Sequence, residues 1–161
     1  IYYEIIRNKT ASLLASACGA GAWSTTQNDE LTQKMMLFGE KAGMAFQIKD
    51  DLFDYGNEDV GKPTGNDIKE KKLTLPLIYT LQQLDPKERK QVIYIIKNEN
   101  RIKSKVNWLI DKVIETGGIE YARKQMMVYR DEALDILRNL PQNDANKALE
   151  GLVKYTTERK Y

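Results

Sequence analysis

The chain has 161 residues, enough for one modest globular domain with its own hydrophobic core. Hydrophobic residues make up 42% and charged residues 30%, which excludes a disordered chain, and the net charge of +2 gives no sign of nucleic-acid binding. The lone Cys18 excludes an internal disulfide framework and fits a reducing compartment, so we expect a cytoplasmic protein, and no stretch is long and apolar enough for a membrane span.

Helix signals dominate the first third of the chain. Residues 1–22 are apolar and rich in alanine and glycine. Small residues at this density permit close packing between helices, or line a cavity for a bulky apolar ligand, and the sequence leaves both possibilities open. Asn28 or Asp29 can cap the next helix, over about 30–55, whose apolar residues recur at helical spacing.

The rest of the chain predicts one long loop and several shorter helices. Glycine and proline mark residues 56–73 as a loop, after which Thr74 can cap a helix over about 75–84. Asp85 before Pro86 is a strong helix start, and Ser104 can cap another helix. The later helices are expected over about 105–116, 119–139 and 144–158. No alternating strand pattern occurs, so we predict an all-α fold and a single domain over 1–161.

Three carboxylates, Asp50, Asp51 and Asp54, stand at the end of the long apolar helical segment. Residues four apart lie on one face of a helix, so Asp50 and Asp54 point the same way. Three like charges repel one another unless a cation neutralises them. Oxygen ligands suit Mg²⁺, which typically sits between one or two carboxylates and a substrate phosphate. The alternative is an acidic helix end solvated by water.

Lysines flank the carboxylates on both sides. Lys62 lies in the turn-rich sequence Gly61-Lys-Pro-Thr-Gly-Asn-Asp67, Lys72 precedes the next helix, and Lys9-Thr10 lies upstream. A lysine is a point charge well suited to phosphate. Carboxylates for a metal together with lysines for anionic oxygens indicate a diphosphate site. For Lys72 the alternative is a solvated basic stretch over 69–72.

These residues resemble the second aspartate-rich region of the trans-polyprenyl diphosphate synthases. The family pattern is G-x-x-F-Q-x-x-D-D-x-x-D, then G-K-P-x-G-x-D, then G-K-x-T-L-P, with an upstream K-T. The chain matches it with Gly43, Phe46, Gln47, Asp50, Asp51, Asp54, Gly61, Lys62, Pro63, Gly65, Asp67, Lys72, Thr74, Leu75 and Pro76. It departs at Lys71, where the family usually has glycine.

The resemblance implies an isoprenoid-synthase-like helical bundle and a role for each matching residue. Asp50 is expected as a direct Mg²⁺ ligand, Asp54 as a ligand through water or a partner of a lysine, and Asp51 as their support. The resemblance also implies that diphosphate oxygens are bound by Lys9, Lys62 and Lys72. Around the substrate it places Thr10, Phe46, Gln47 and Asp67.

The activity implied is prenyl transfer from an allylic prenyl diphosphate to isopentenyl diphosphate, assisted by Mg²⁺. A trans-polyprenyl product of medium or long chain, octaprenyl-like, is favoured, and the complete enzyme is expected to be a homodimer. Family members also carry an earlier aspartate-rich motif, which is missing before Gly43, and the chain has no histidine. We therefore expect the C-terminal part of a synthase, inactive by itself.

Two alternatives stay open. The first is the non-catalytic regulatory subunit of a two-component synthase, although such subunits usually have degraded aspartate motifs. The second is a terpene cyclase of the same fold, whose different C-terminal metal motif is not matched by residues 46–51. A second aspartate-rich motif upstream of Ile1 would select the enzyme.

Other candidate residues are interpreted as structural. Asp131 and Asp135 also lie four apart, but Arg130 and Arg138 lie beside them, so a solvated, ion-paired helix face is expected. Cys18 is expected to be a packed thiol. Core positions, rather than ligand contacts, are expected for Trp108, Met126 and Met127.

Overall fold

The computed structural model describes residues 1–55 and 64–158, and no β-strand occurs among them. The α-helices are α1 (Tyr2–Ile6), α2 (Ser12–Thr26), α3 (Asp29–Phe53), α4 (Asn66–Lys69), α5 (Leu75–Gln83), α6 (Pro86–Tyr94), α7 (Lys103–Glu115), α8 (Gly118–Arg138) and α9 (Asp144–Glu158). Two π-helical turns, Arg7–Ala11 and Ile95–Glu99, continue α1 and α6. The all-α prediction is confirmed. None of the helices in the described part has the length and apolar character needed to span a bilayer.

Two of the predicted helix caps are confirmed. Asn28 Oδ1 accepts a hydrogen bond from the backbone N–H of Leu31 at 2.9 Å. Asp85 Oδ1 accepts from the backbone N–H groups of the second and third residues of α6 at 2.7 and 2.8 Å. Each cap satisfies amide groups that have no partner within the helix, so each fixes where its helix begins.

The other two predicted caps make no capping hydrogen bond, although Thr74 does occupy the N-cap position of α5. Thr74 precedes α5, but its side chain makes no capping bond, because its hydroxyl pairs with the buried Tyr55 instead. Ser104 lies inside the first turn of α7, which begins at Lys103 after Ile102. In both places a helix starts where packing and backbone bonding allow it, without the hydroxyl that the sequence offered.

The helices group into two compact units, and the prediction of one domain over 1–161 stays a prediction. The first unit contains Ile1–Lys49 and Gln125–Arg159. Its core includes Phe38, Ala133, Leu134, Leu137 and Val153.

Glycines on α3 allow the N-terminal helical segment to pack very closely in the first unit. A Cβ added at Gly43 would lie 2.6 Å from Ala11 Cα, and one added at Gly39 would lie 2.5 Å from the Leu14 carbonyl oxygen. Both distances are shorter than any ordinary contact, so a larger residue would force the helices apart. Close helix packing, the first of the two roles considered for the small residues, therefore occurs at these contacts.

The second unit contains Asp50–Lys124. Its core includes Tyr55, Ile68, Leu77, Val92, Ile95, Ile96, Val106, Leu109 and Val113. The short helix α4 is anchored in this core by Ile68, which is completely buried. Gly118, at the start of α8, would place a Cβ 2.6 Å from the Pro76 carbonyl oxygen, so α8 begins tightly against α5.

The structural interpretations of the remaining candidates mostly hold. Trp108 packs against the core of the second unit, and Met126 is buried, but Met127 is 36% exposed, so its predicted core position is wrong. Cys18 is half-buried beside the core of the first unit, and burial raises the pKa of its thiol, which keeps it protonated and unreactive.

The acidic pair on α8 is confirmed as an ion-paired surface. Asp131 and Asp135 are exposed. Arg130 Nη2 lies 2.7 Å from Asp131 Oδ1, and Arg138 pairs with Asp135. Exposed ion pairs of this kind contribute little to stability.

Candidate functional site

Asp54, just after α3, holds the start of α4. The residue is 7% exposed, and its two carboxylate oxygens accept hydrogen bonds from the backbone N–H groups of Asn66 at 2.7 Å and Asp67 at 3.1 Å. A carboxylate at a helix N-terminus satisfies unpaired amide groups and meets the positive end of the helix dipole. The sequence Gly65-Asn66-Asp67 is thereby fixed to the end of α3.

The surroundings of the Asp54 carboxyl have opposing effects on its pKa. Burial raises its pKa, and the nearby charge of Asp67 acts in the same sense. Hydrogen bonds from the backbone amides of Asp67, Asn66 and Ile68 act against burial and lower the pKa. The net direction is upward, because burial outweighs the backbone hydrogen bonds.

Asp51 and Tyr55 hold the start of α5. Asp51 Oδ2 accepts a hydrogen bond from the backbone N–H of Leu75 at 3.1 Å, and the Tyr55 hydroxyl lies 2.5 Å from Thr74 Oγ1. Burial raises the pKa of Tyr55 far above its ordinary value, so this phenol stays neutral. At the end of α3, Asp54 therefore holds residues 66–67. Asp51 and Tyr55 hold residues 74–75.

Lys72 lies between these two fixed points. Its Nζ is 2.6 Å from Glu70 Oε2 and 3.3 Å from Asp67 Oδ1. The hydrogen bond to Glu70 is the main cause that raises the pKa of Lys72, so the ammonium group stays protonated. Lys72 is partly solvated, as the alternative interpretation expected, but it is also directed to Asp67, another residue of the family pattern.

The departure at Lys71 has a clear structural meaning. Lys71 has φ of 59°, in the left-handed region that favours glycine. It follows α4, where the Lys71 N–H donates to the Ile68 carbonyl at 3.0 Å and the Lys72 N–H donates to the Asp67 carbonyl at 2.8 Å. This pair of bonds is the Schellman arrangement, whose left-handed position is usually glycine. The backbone turn thus has the form that suits the family's glycine, although a lysine occupies the position.

Lys9 and Thr10 lie in the first unit, on the π-helical turn Arg7–Ala11. The sequence predicted a helix here but not this turn. Lys9 is exposed and Thr10 half-buried. Single π-helical turns within α-helices are frequent at functional sites. Gly43, which begins the aspartate-containing pattern, is the residue that lets α3 approach this turn at Ala11.

Phe46 and Gln47 lie on α3, also in the first unit. Phe46 is half-buried, whereas Gln47 is 6% exposed. No hydrogen bond joins the Gln47 side chain to another residue in the described ranges. A buried amide without a partner in the protein is costly, so it marks a position where a ligand or water can bind.

The predicted site residues are thus placed in two groups. The second unit brings Asp51, Asp54, Asp67 and Lys72 together around α4, and Asp50 is half-buried at the start of the same unit. Lys62 lies outside the described residues. The role of each of these residues in binding or catalysis stays a prediction.

The described carboxylates do not form a complete metal cage. No group of three or more acidic, histidine or cysteine side chains in residues 1–55 and 64–158 is placed to hold a metal ion. Asp51 and Asp54 accept hydrogen bonds from backbone N–H groups, and neutralisation of the three aspartates by a cation stays a prediction. This donor set fits an ion that takes one or two carboxylates from the protein and further oxygens from a diphosphate, as Mg²⁺ does.

Sequence reasoning missed several residues that support this site. Tyr55 and Thr74 form their pair across 19 positions, and Asn100 Nδ2 donates to the Lys69 carbonyl oxygen at 2.6 Å across 31 positions. No local pattern indicates such distant partners. Lys71 is different, since its place in a position usually held by glycine was a signal of left-handed backbone.

Comparison with known proteins gives a consistent family. The sequence profile of the polyprenyl synthetases matches residues 1–113. Heptaprenyl diphosphate synthase component 2 of Bacillus subtilis (strain 168) is 30% identical over 162 residues, covering 99% of this chain and 45% of that protein.

Solved structures agree with the sequence comparison. Geranylgeranyl pyrophosphate synthase from Bacteroides thetaiotaomicron is 39% identical with a TM-score of 0.89, covering 98% of this chain and 52% of that one. A polyprenyl synthase from Caulobacter crescentus CB15, complexed with calcium and isoprenyl diphosphate, is 31% identical with a TM-score of 0.89, covering 99% and 49%. The chain spans about half the length of these relatives and has the isoprenoid synthase helical fold. It belongs to the polyprenyl synthetase family.

Proposed function

We propose that the chain carries a diphosphate- and metal-binding part of a trans-polyprenyl diphosphate synthase, which joins isopentenyl diphosphate to an allylic prenyl diphosphate. One observation carries the proposal: Asp51 and Asp54 fix the two ends of the segment that holds Asp67 and Lys72. Asp51, Asp54, Asp67 and Lys72 of the family pattern are therefore joined by hydrogen bonds in one ordered segment, which a solvated helix end would not provide.

In this proposal the residues have separate tasks. A bound Mg²⁺ would stabilise the negative charge that develops on the departing diphosphate. Asp50 is the first choice for a direct carboxylate ligand, as the resemblance to the family pattern implies, and Asp51 and Asp54 accept backbone hydrogen bonds from α5 and α4. Asp54 would act on the ion through water. Diphosphate oxygens are bound by Lys9, Lys62 and Lys72.

The organic part of the substrates has its own proposed contacts. Gln47 offers a buried amide with no partner in the described part of the chain, and Phe46 lies beside it in sequence on α3. Both are proposed to face the allylic group, with Thr10 and Asp67 supporting the phosphate contacts. Fixed donors and cations in a site without bulk water stabilise a separating charge far better than water does.

The product and the assembly are also proposals. A medium or long product, octaprenyl-like, is favoured, while two of the relatives named above are named for geranylgeranyl and heptaprenyl diphosphates. The complete enzyme is proposed to be a homodimer. Isoprenyl diphosphate and a divalent metal ion are the ligands found in the Caulobacter crescentus structure, which supports the proposed substrates and the use of a metal.

A second candidate is a component of a two-subunit synthase. The Bacillus subtilis relative is named component 2 of its enzyme, so a relative of this chain is one part of a multicomponent synthase. In that case the partner would be a different polypeptide rather than a second copy. Size-exclusion chromatography with light scattering would distinguish the two assemblies, if the complete enzyme is purified both after expression alone and from its source cells.

The proposed site is tested by calorimetric titration of the chain with geranyl diphosphate, with and without Mg²⁺. Binding should require Mg²⁺ and should be lost in Asp50→Ala. Asp131→Ala is the matched control, since Asp131 is an exposed aspartate paired with Arg130. Binding that survives both Asp50→Ala and removal of Mg²⁺ would contradict the assignment of Asp50 as a metal ligand.

A further inference from the structure

The segment Asn66–Lys72 is held from a second side, by Asn100 and the Lys97 carbonyl, which both lie outside the family motifs described above. Asn100 donates its Nδ2–H to the Lys69 carbonyl oxygen at 2.6 Å, and Lys71 donates its Nζ–H to the Lys97 carbonyl oxygen at 2.8 Å. Both contacts join the C-terminal end of α4 to the π-helical turn Ile95–Glu99 or to the residue that follows it. The turn and Asn100 therefore hold the C-terminal end of α4 in place through these two hydrogen bonds.

The hydrogen bond of Asn100 comes from a buried side chain and satisfies a carbonyl at a helix end. Asn100 is 7% exposed, and the carbonyl lies at the end of α4, where helices leave carbonyls without internal partners. Asn98, two residues earlier, is a natural contrast. Its Nδ2 also donates to a backbone carbonyl, that of Tyr94 at 3.1 Å, but this contact is exposed and spans only one helical turn.

The hydrogen bonds made by Asn100 and by Lys71 Nζ stabilise an unfavourable backbone conformation at Lys71. Lys71 occupies the left-handed position of the Schellman turn without being glycine, a conformation that costs free energy for a residue with a side chain. The same turn returns the chain so that the Lys72 N–H meets the Asp67 carbonyl and Lys72 Nζ approaches Asp67 Oδ1. Contacts that hold Lys69 and Lys71 therefore determine where Lys72 lies.

We propose that Asn100 and Lys71 are positioning residues for the diphosphate site, since they fix the turn that places Lys72 beside Asp67. This inference rests on the proposed function for its consequence in binding, but its structural part is independent of it. Neither residue is expected to touch the substrate.

Hydrogen exchange measured by mass spectrometry tests the structural part in the 161-residue chain. Asn100→Ala should make the amides of 68–72 exchange about tenfold faster, because the hydrogen bond from its buried side chain to the Lys69 carbonyl is lost. Exchange across α7 should not change. Asn98→Ala should change neither region. Asn100→Asp, which keeps the side-chain size but removes the donor, is a second variant should Asn100→Ala fold poorly.

A second variant separates the two positioning contacts from general destabilisation. Lys71→Met removes the Nζ–H donor to Lys97 and keeps a side chain at the left-handed position, so it should accelerate exchange of 68–72 in the same direction as Asn100→Ala. Unchanged exchange of 68–72 in both Lys71→Met and Asn100→Ala, or the same exchange in Asn98→Ala and Asn100→Ala, would overturn the inference.

Binding of inorganic pyrophosphate with Mg²⁺, measured by calorimetry on the same variants, tests the consequence. Asn100→Ala should weaken binding by about tenfold, the order of effect of a misplaced charge contact, and Asn98→Ala should not. Equal affinity in wild type and Asn100→Ala would overturn the positioning role. A wild-type chain that binds no pyrophosphate counts against the proposed function, while the exchange pattern still decides whether Asn100 holds the turn.

Discussion

Replacement of Gly43 by alanine is expected to destabilise the first unit, although alanine is the better helix former. Gly43 lies within α3, and its added Cβ would be 2.6 Å from Ala11 Cα and 3.0 Å from Ala11 Cβ. Carbon atoms in contact are ordinarily separated by about 3.5–4.0 Å, so roughly 1 Å of movement is needed. The closest atom belongs to the backbone of a helical segment, which cannot simply rotate away.

The magnitude follows from two opposing terms. Overpacking of a tight contact costs about 1–3 kcal/mol. Replacing glycine by alanine inside a helix contributes up to about 1 kcal/mol in the other direction. Gly21 isolates the second term, because it lies in α2 with nothing within 4 Å of its added Cβ. Gly21→Ala should therefore stabilise the unit slightly, and Gly43→Ala should be about 1–3 kcal/mol less stable than Gly21→Ala.

Urea unfolding provides the assay, and the two tryptophans report on different units. In a Trp108→Phe background, fluorescence follows Trp23, which lies in the first unit with both glycines. The midpoint and slope should give a lower unfolding free energy for Gly43→Ala than for Gly21→Ala at an unchanged slope. Equal free energies for the two variants would refute the close approach of α3 to the turn that carries Lys9 and Thr10.

Three further predictions concern the second unit. Gly65 and Gly117 have φ of 73° and 76°, but only Gly65 would place a Cβ against a neighbour, 2.4 Å from Val106 Cγ1. Gly65→Ala should therefore lower the unfolding free energy by about 1–3 kcal/mol more than Gly117→Ala, as measured by urea unfolding, and equal losses would contradict the contact. Lys71→Gly should raise the thermal midpoint, by about 1 kcal/mol in free energy, because left-handed strain is removed; a lowered midpoint would show that the side-chain bond to Lys97 outweighs it. Asp85→Ala should cost about 1 kcal/mol through loss of the α6 cap, and Asp85→Asn should recover most of it in the same melt.

Much of the fold could be predicted from local sequence. The long helix α3 follows from apolar residues at helical spacing, and its start at Asn28 and that of α6 at Asp85 follow from capping side chains. The grouping of carboxylates and lysines indicated diphosphate chemistry and the family. These features depend on residues only a few positions apart, so each signal is complete within a short stretch of chain.

The partners of the site aspartates could not be predicted in the same way. Asp51 and Asp54 accept hydrogen bonds from backbone N–H groups at the starts of α5 and α4, and their spacing in the sequence did not indicate these partners. Thr74 had two potential partners, the α5 N-terminus and the Tyr55 hydroxyl, and packing selected the second. Local propensity cannot decide between such partners, because the competing group comes from a distant part of the chain.

The sequence by itself determined the helical class, most helix limits, the family and the identity of the candidate site residues, because these depend on periodicity, capping and short motifs. Only the tertiary structure decided that Asp51 and Asp54 fix the two ends of the segment 66–75 and that Asn100 supports α4. The physical reason is the same in each case. A hydrogen bond across 12 to 31 residues forms only when packing of buried side chains such as Ile68 has already brought both groups together.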